Sequence, residues 1–331
     1  MLDKSNIIIY IIDFDRLHHK NRAGALLLKD FLDIVLINEV SQIDYSNNKI
    51  NVLICPDKIV ESNKSKFLTI CGPQISFTDS CLHHKHSNNI INILSSWTAE
   101  GACKFQKGFK EINDVYYTES NVIYVKMPFP VDHKRFCPQS INDIRCEAEV
   151  NVDKGKDRDY IVYYKHVDRN RLINITNALN TLNINYTVFE YGSYSETDYL
   201  DRLKRVKGVF WVGCHESQGF ALQEALSCNV PILCFDVERL SDECIDGWHP
   251  WDNPLFKDVS ATSASYWNDT CGRLVKYDLN LDFTAIILDF ISDLDKYRPR
   301  DFILENLTAE KVSQQWVETI HELLSNSANN L

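Results

Sequence analysis

Trp211-Val-Gly-Cys-His-Glu216-Ser-Gln-Gly219-Phe-Ala-Leu-Gln-Glu224-Ala-Leu226 is the stretch on which the reading of this chain turns. Its first residues, with Gly208–Val212, form an apolar run that reads as a strand. Phe220–Ser227 carries a helical pattern, and Gly219 stands where the two join. A glycine there lets a ligand approach the backbone closely. The N–H groups and positive dipole end of the following helix suit a phosphate. Glu216 precedes the helix and Glu224 lies inside it. Carboxylates accept paired hydrogen bonds from vicinal hydroxyls. Phosphate together with two sugar rings is therefore the ligand chemistry this segment fits.

The pattern continues on both sides. Asn229-Val-Pro231-Ile leads into a strand, Val230–Phe235. Upstream, Tyr160–Tyr164 reads as a strand, Arg171–Leu182 as a helix, Tyr186–Glu190 as a strand closed by Gly192, and Glu196–Arg205 as a helix. Repeated βα units with short loops predict a doubly wound parallel sheet. The first half repeats the theme less cleanly. Ile7–Ile12, Asn51–Cys55, Phe67–Cys71, Ile90–Leu94 and Val122–Val125 are short apolar runs. Ala23–Val35 has Leu26, Leu27, Phe31 and Ile34 on one helical face. Gln139 to Lys156 is polar, without periodicity, and reads as a linker. The tail holds two helical stretches, Phe283–Asp295 and Ala309–Ser325. The expectation is an α/β protein with two Rossmann-like domains facing a cleft, 1–145 and 146–308, with helix 309–325 packing back on the first. Ligands of such sheets bind at the C-terminal ends of the strands.

Bulk properties narrow the function. The chain has 331 residues, 44% apolar and 24% charged, with a formal net charge of -11. Such an acidic chain with no basic block is poorly matched to nucleic acid. No stretch reaches the roughly 18 apolar residues of a membrane span. Ile7–Ile12 lacks a basic n-region and a cleavage site, so it reads as a strand and not as a signal peptide. The 11 cysteines are scattered and form no CxxC pair. Reduced thiols and a cytoplasmic location are expected.

A second motif lies upstream. Tyr124-Val-Lys-Met-Pro128-Phe-Pro-Val131-Asp132-His-Lys-Arg-Phe136-Cys-Pro138 resembles the P-x-G-V-D-x-x-x-F-x-P segment of retaining GT-B glycosyltransferases, with Pro130 in place of the usual glycine. The Glu216–Glu224 stretch resembles the Glu-x7-Glu signature of the same group, glycosyltransferase family 4 in particular. Glu216, Gly219, Glu224 and Ala225 match its E-G-F-G-x-x-x-x-E-A pattern, while Ser217 and Gln218 replace Gly and Phe. The family's Gly-Arg at the end of the second domain's first strand is represented by Tyr164-Lys165, with Arg169 or Arg171 as the second cation.

The resemblance implies a GT-B fold and transfer of a sugar from a UDP- or GDP-linked donor to a glycan or other hydroxyl acceptor, with retention. It implies that Glu224 holds the ribose and Glu216 contacts the donor sugar. Lys165 and the amides near Gly219 would offset the departing diphosphate. Ser217, Gln218, Phe220 and Gly192 would line the donor. The acceptor would dock on the first domain, near an Ala23-Gly24-Ala25 loop. No metal or other cofactor is expected to be required.

Several other residues admit chemistry. Asp13-Phe-Asp15 is a DxD pair of the kind that holds Mn²⁺ in GT-A transferases, but it sits after the first strand, where a loop or cap is the plainer reading. Cys81, His83, His84 and His86 lack a second ligand pair for zinc. One of these histidines, or His18 or His19, could line the cleft. Gly72-Pro73-Gln74 is either a simple turn or a cleft loop with Pro73 on the acceptor side. Trp248, Trp251 and Trp267 could stack on sugars or pack in loops. Two rival functions remain: a non-catalytic nucleotide-sugar-binding module, and a metal-dependent GT-A-like transferase using Asp13 and Asp15.

Overall fold

The computed structural model describes residues 6–56, 67–74, 90–95, 98, 100–101, 109–112, 115–118, 122–138, 160–254 and 256–328. The chain forms two compact units, Met1–Pro130 with Leu307–Leu331, and Val131–Asn306.

The first unit is built on an eight-stranded sheet in the order β2-β1-β3-β4-β5-β8-β7-β6. β1 (Ile7–Ile12) is an unbroken apolar run that is buried along nearly its whole length and has a strand on either side. It pairs in parallel with β2 (Ile34–Ile37) and β3 (Ile50–Cys55). β4 (Leu68–Cys71), β5 (Ile90–Asn92) and β8 (Ile123–Val125) extend the parallel part. β6 (Phe109–Ile112) and β7 (Val115–Thr118) then add an antiparallel edge.

Two sequence expectations change here. Helix α1 spans His19–Leu28 and stops before Ile34, which begins β2. The β-branched run Ile34-Val-Leu-Ile37 prefers the pleated sheet to a continued helix. Gly24 lies inside α1 and not in a loop. A Cβ there would stand 2.7 Å from Phe129 Cβ, so its role is close packing of the helix on Phe129 and Pro130.

The C-terminal helix α7 (Ala309–Ala328) belongs to this first unit. Val312, Trp316, Ile320 and Leu323 are buried at helical spacing and form its core face. Trp316 donates from Nε1 to the Pro128 carbonyl at 2.7 Å and meets Phe129 edge-on.

The second unit has five parallel strands in the order β10-β9-β11-β12-β13. They are β9 (Tyr160–Lys165), β10 (Tyr186–Glu190), β11 (Val209–Gly213), β12 (Ile232–Asp236) and β13 (Gly272–Lys276). Numbered within the unit, the order is 2-1-3-4-5. The direction of winding reverses between β9 and β11, and a crevice opens at such a switch point. The connecting helices are α2 (Arg169–Thr181), α3 (Glu196–Leu203), α4 (Phe220–Ser227), α5 (Phe283–Ser292) and α6 (Pro299–Asn306).

The units divide at Pro130 and Val131, ahead of the 145/146 boundary read from sequence. The physical cause is a polar clamp within the second unit. Ser227 Oγ donates to the Phe136 carbonyl at 2.6 Å, and Arg300 donates to the carbonyls of His133, Phe136 and Ser227. Val131–Phe136 is thereby fastened to α4 and α6. The polar stretch 139–156 and the cluster Cys81, His83, His84 and His86 lie outside the described residues. Among the described residues, no helix is long and apolar enough to cross a membrane.

Candidate active site

The second unit's switch point brings Lys165 together with the Glu216–Glu224 stretch. Lys165 ends β9, and Gly213, its register partner, ends β11. Glu216 lies three residues beyond Gly213. Lys165 Nζ donates to Glu216 Oε1 at 2.7 Å, with both side chains largely out of solvent at 16% and 13% exposure. The Tyr191 ring lies under the ammonium, 4.6 Å from centroid to Nζ. Burial works to lower the Lys165 pKa, but the Glu216 carboxylate outweighs it, with help from Cys214 and Tyr191. The net shift is upward, and the cation is kept charged.

Two helices begin shortly after the ends of β9 and β11, and their caps differ. α2 is capped by Asp168, whose carboxylate accepts from Asn170 N at 2.8 Å. An anion there would meet that negative charge. α4 begins at Gly219, left-handed at φ 79, with no side-chain cap hydrogen bond. Only glycine takes this conformation without strain. The α4 N-cap thus brings no negative side chain of its own, unlike Asp168 at α2, and the positive end of the α4 dipole suits an anion.

The rest of the 216–224 stretch shapes this turn. Gln218 is 2% exposed and its amide pairs with Gln223, whose Nε2 donates to the Gln218 carbonyl at 2.8 Å. These bonds close the loop from within and fix the backbone that leads into Gly219. Ser217 is exposed and Phe220 half-buried at the helix start. Glu224, 4% exposed, is on the next turn of α4, close enough to raise the Tyr194 and Tyr199 hydroxyl pKa values behind the larger effect of burial.

An aromatic floor supports the crevice. Tyr163 stacks on Trp211 with centroids 4.0 Å apart and planes at 4°. Its hydroxyl bonds that of Tyr194 at 2.9 Å. A Cβ at Gly213 would stand 2.6 Å from Trp211 Nε1, so the strand must end in glycine for that indole to fit. His215, next to Glu216, is kept neutral. Burial first, then Lys165, lower its pKa to about 3. A cavity of about 260 Å³ opens at the ends of β9 and β10, bounded by Lys165, His166, Glu190, Tyr191 and Asp246.

The two candidate arginines do not join Lys165. Arg169 pairs with Glu190 at 3.1 Å at the cavity's edge and is 62% exposed. Arg171 bonds Asp242 at 2.8 Å and lies over Tyr277 at 4.5 Å. It ties α2 to the excursion after β12. Gly192 lies in an exposed turn after β10, at φ 82.

Most of the remaining expectations fall in the first unit. Gly72-Pro73 is a turn after β4, where Gln74 accepts from His18 N at 2.6 Å. His18 and His19 lie with rings 4.3 Å apart at the start of α1. Asp13 begins a short turn, and Asp15 faces Arg22 at 3.6 Å. Among the described residues, no group of three or more His, Cys, Asp or Glu is placed to hold a metal ion. In the second unit, Trp251 donates to Glu243 and Trp248 is 64% exposed.

The structure also brings in residues that sequence reading missed. Asp236 ends β12, and Thr262, Ser263 and Ser265 return from a long excursion to lie against the Glu216 loop. No spacing rule signals that return, because it depends on where residues 237–261 lead the chain.

No protein-family model matches the chain, and no curated protein matches it in sequence. Solved structures match it in fold. A glycosyltransferase from Rickettsia africae ESF-5 superposes with a TM-score of 0.51 at 10% identity, covering 97% of this chain and 99% of that one. The fold is GT-B, with two Rossmann-like units. A sucrose-phosphate synthase from Thermosynechococcus elongatus also aligns, with a TM-score of 0.46 at 11% identity over 97% of this chain and 74% of that one.

Proposed function

We propose that this chain is a glycosyltransferase of the retaining, family-4-like kind, which takes a sugar from a UDP- or GDP-linked donor to a glycan or other hydroxyl acceptor without a metal ion. The observation that carries this reading is the Lys165–Glu216 pair at the switch point, beside the glycine-headed start of α4. The donor's diphosphate suits the amides at Gly219 and Phe220 and the charge of Lys165. Glu216 faces the sugar, and Glu224 faces the ribose. When the bond from the anomeric carbon to the diphosphate oxygen breaks, its electron pair leaves with the nucleotide. In this reading Lys165 and the α4 amides take up that charge, which is the main electrostatic demand of the step. The raised Lys165 pKa keeps the cation charged for this task.

Purified protein screened by thermal shift against UDP, GDP, ADP and common nucleotide sugars, with and without Mn²⁺, tests the reading. A ligand at about 100 times its Kd stabilises the folded state by about 2.7 kcal/mol. The expected result is a metal-independent rise in Tm with one nucleotide, lost in Glu224→Ala. Glu216→Ala should cut turnover more than nucleotide affinity. Absence of a shift with every nucleotide would overturn the proposal, and a shift requiring Mn²⁺ would favour a metal-dependent mechanism.

A further inference from the structure

We infer that Asp236 is a positioning residue for Glu216, acting through the loop Thr262–Ser265. The β11–β12 ladder runs only from Val209↔Ile232 to Trp211↔Cys234. Beyond it the strand-end segment 213–216 has no direct ladder partner in β12, and the returning loop fills the space between them. Asp236 is 6% exposed and accepts from Ser263 N at 2.6 Å and from Thr262 Oγ1 at 2.9 Å to each carboxylate oxygen. That loop in turn holds the backbone on both sides of the Lys165 partner. Ser263 Oγ donates to the Gly213 carbonyl at 2.9 Å, the Thr262 carbonyl accepts from Glu216 N at 3.0 Å, and Ser265 Oγ donates to the Glu216 carbonyl.

Each of these bonds is to main chain on the Glu216 side. The loop therefore determines where the Glu216 Cα stands and not the charge of its carboxylate. A buried acid with three loop contacts is a rigid anchor, since a tilt of its carboxylate would break several bonds at once. Without it, loop 262–265 is free to shift and the Glu216 carboxylate leaves the Lys165 ammonium. The catalytic part of this role rests on the donor-facing reading of Glu216 given above. The structural part does not.

Two readouts on the full chain separate these. With the donor found by the thermal screen, Asp236→Ala should lower kcat on the order of ten- to a hundred-fold, as misplacement by about an ångström does. KM for the donor should change by less than about two-fold, because nucleotide grip lies with Glu224 and α4. Asp236→Asn, which keeps the shape and an acceptor oxygen, should recover most of the loss. Asp236→Ala combined with Glu216→Ala should be no slower than Glu216→Ala alone. Multiplying effects, or a change confined to KM, would overturn the positioning role.

The second readout needs no activity. In the wild-type background, the Tm losses of Lys165→Met and Glu216→Gln should be non-additive by about 2–4 °C, the signature of a coupled pair. In the Asp236→Ala background that non-additivity should vanish. A merely structural aspartate would lower every Tm equally and leave the coupling intact, which would refute the inference even if the protein turns over no donor. Should Asp236→Ala fail to fold, Thr262→Val removes the hydroxyl bonded to Asp236 and carries the same two tests.

Discussion

Replacing Arg300 by Met should loosen the start of the second unit while leaving the side chain's apolar stem in place. The guanidinium reaches three main-chain carbonyls, those of Phe136 at 3.2 Å, His133 at 3.1 Å and Ser227. A hydrogen bond to a charged group contributes about 1.5–3 kcal/mol net, and the three share one half-buried donor, so they do not simply add. Phe136 also keeps its bond from Ser227 Oγ. A loss of about 3 kcal/mol follows, or a fall in Tm of about 6–12 °C for a unit of this size. Urea denaturation followed by tryptophan fluorescence would measure it. Arg300→Lys should recover only a small part, because one ammonium cannot span the three acceptors. A second signal is electrostatic. Burial first, and then the Arg300 charge, hold the His133 pKa down, so Arg300→Met should raise it part of the way back in an NMR titration. A stability change under about 1 kcal/mol with His133 unmoved would show that the clamp does not hold the segment.

Other expectations can be checked alongside. Glu216→Gln removes the main group opposing the burial of the Lys165 ammonium, so its pKa should fall and stability at pH 7 should drop by about 1–3 kcal/mol in urea melts. In the wild type, the raised folded-state pKa means the pair's contribution is complete below about pH 10.4 and is lost only as pH climbs through the higher folded value. Trp316→Phe should cost about 1–3 kcal/mol by leaving the buried Pro128 carbonyl without its donor, and hydrogen exchange should rise along α7. Gly272→Ala should cost more than about 3 kcal/mol or abolish folding, as read from soluble yield and circular dichroism. At φ 143, its Cβ would stand 2.1 Å from the Ile232 carbonyl oxygen across the β12–β13 ladder.

Much of the second unit was legible because its signals are local. β9, β10, β11 and β12 are short apolar runs with turn residues at their ends, and α3 and α4 follow at helical period. The Glu216–Gly219–Glu224 spacing was visible for the same reason, since strand end, turn and first helical turn lie in one continuous stretch. The first unit was harder. Leu26, Leu27, Phe31 and Ile34 satisfy a helical period, yet the chain leaves α1 at Leu28 and enters β2 at Ile34. The helical period over a few residues gave way to the β-branched run 34–37, which pairs beside β1. β6, β7, β13 and α6 carry too few residues or too mixed a pattern to announce themselves.

The amino-acid sequence by itself determined the βα alternation, the glycine at the head of α4 and the two glutamates eight residues apart. Those features arise from backbone conformations and periodicities set within a few residues. Only the tertiary structure decided which cation meets Glu216. Lys165, Arg169 and Arg171 are near neighbours in the chain, but parallel pairing of β9 with β11 places Lys165 against Glu216 and sends the arginines to Glu190 and Asp242. It alone also brought Ser263 back to Asp236 from the far end of a long excursion, and Trp316 onto Pro128. Such contacts depend on strand order and on the paths of distant segments, and the free energy that selects them is spread over the whole packed unit.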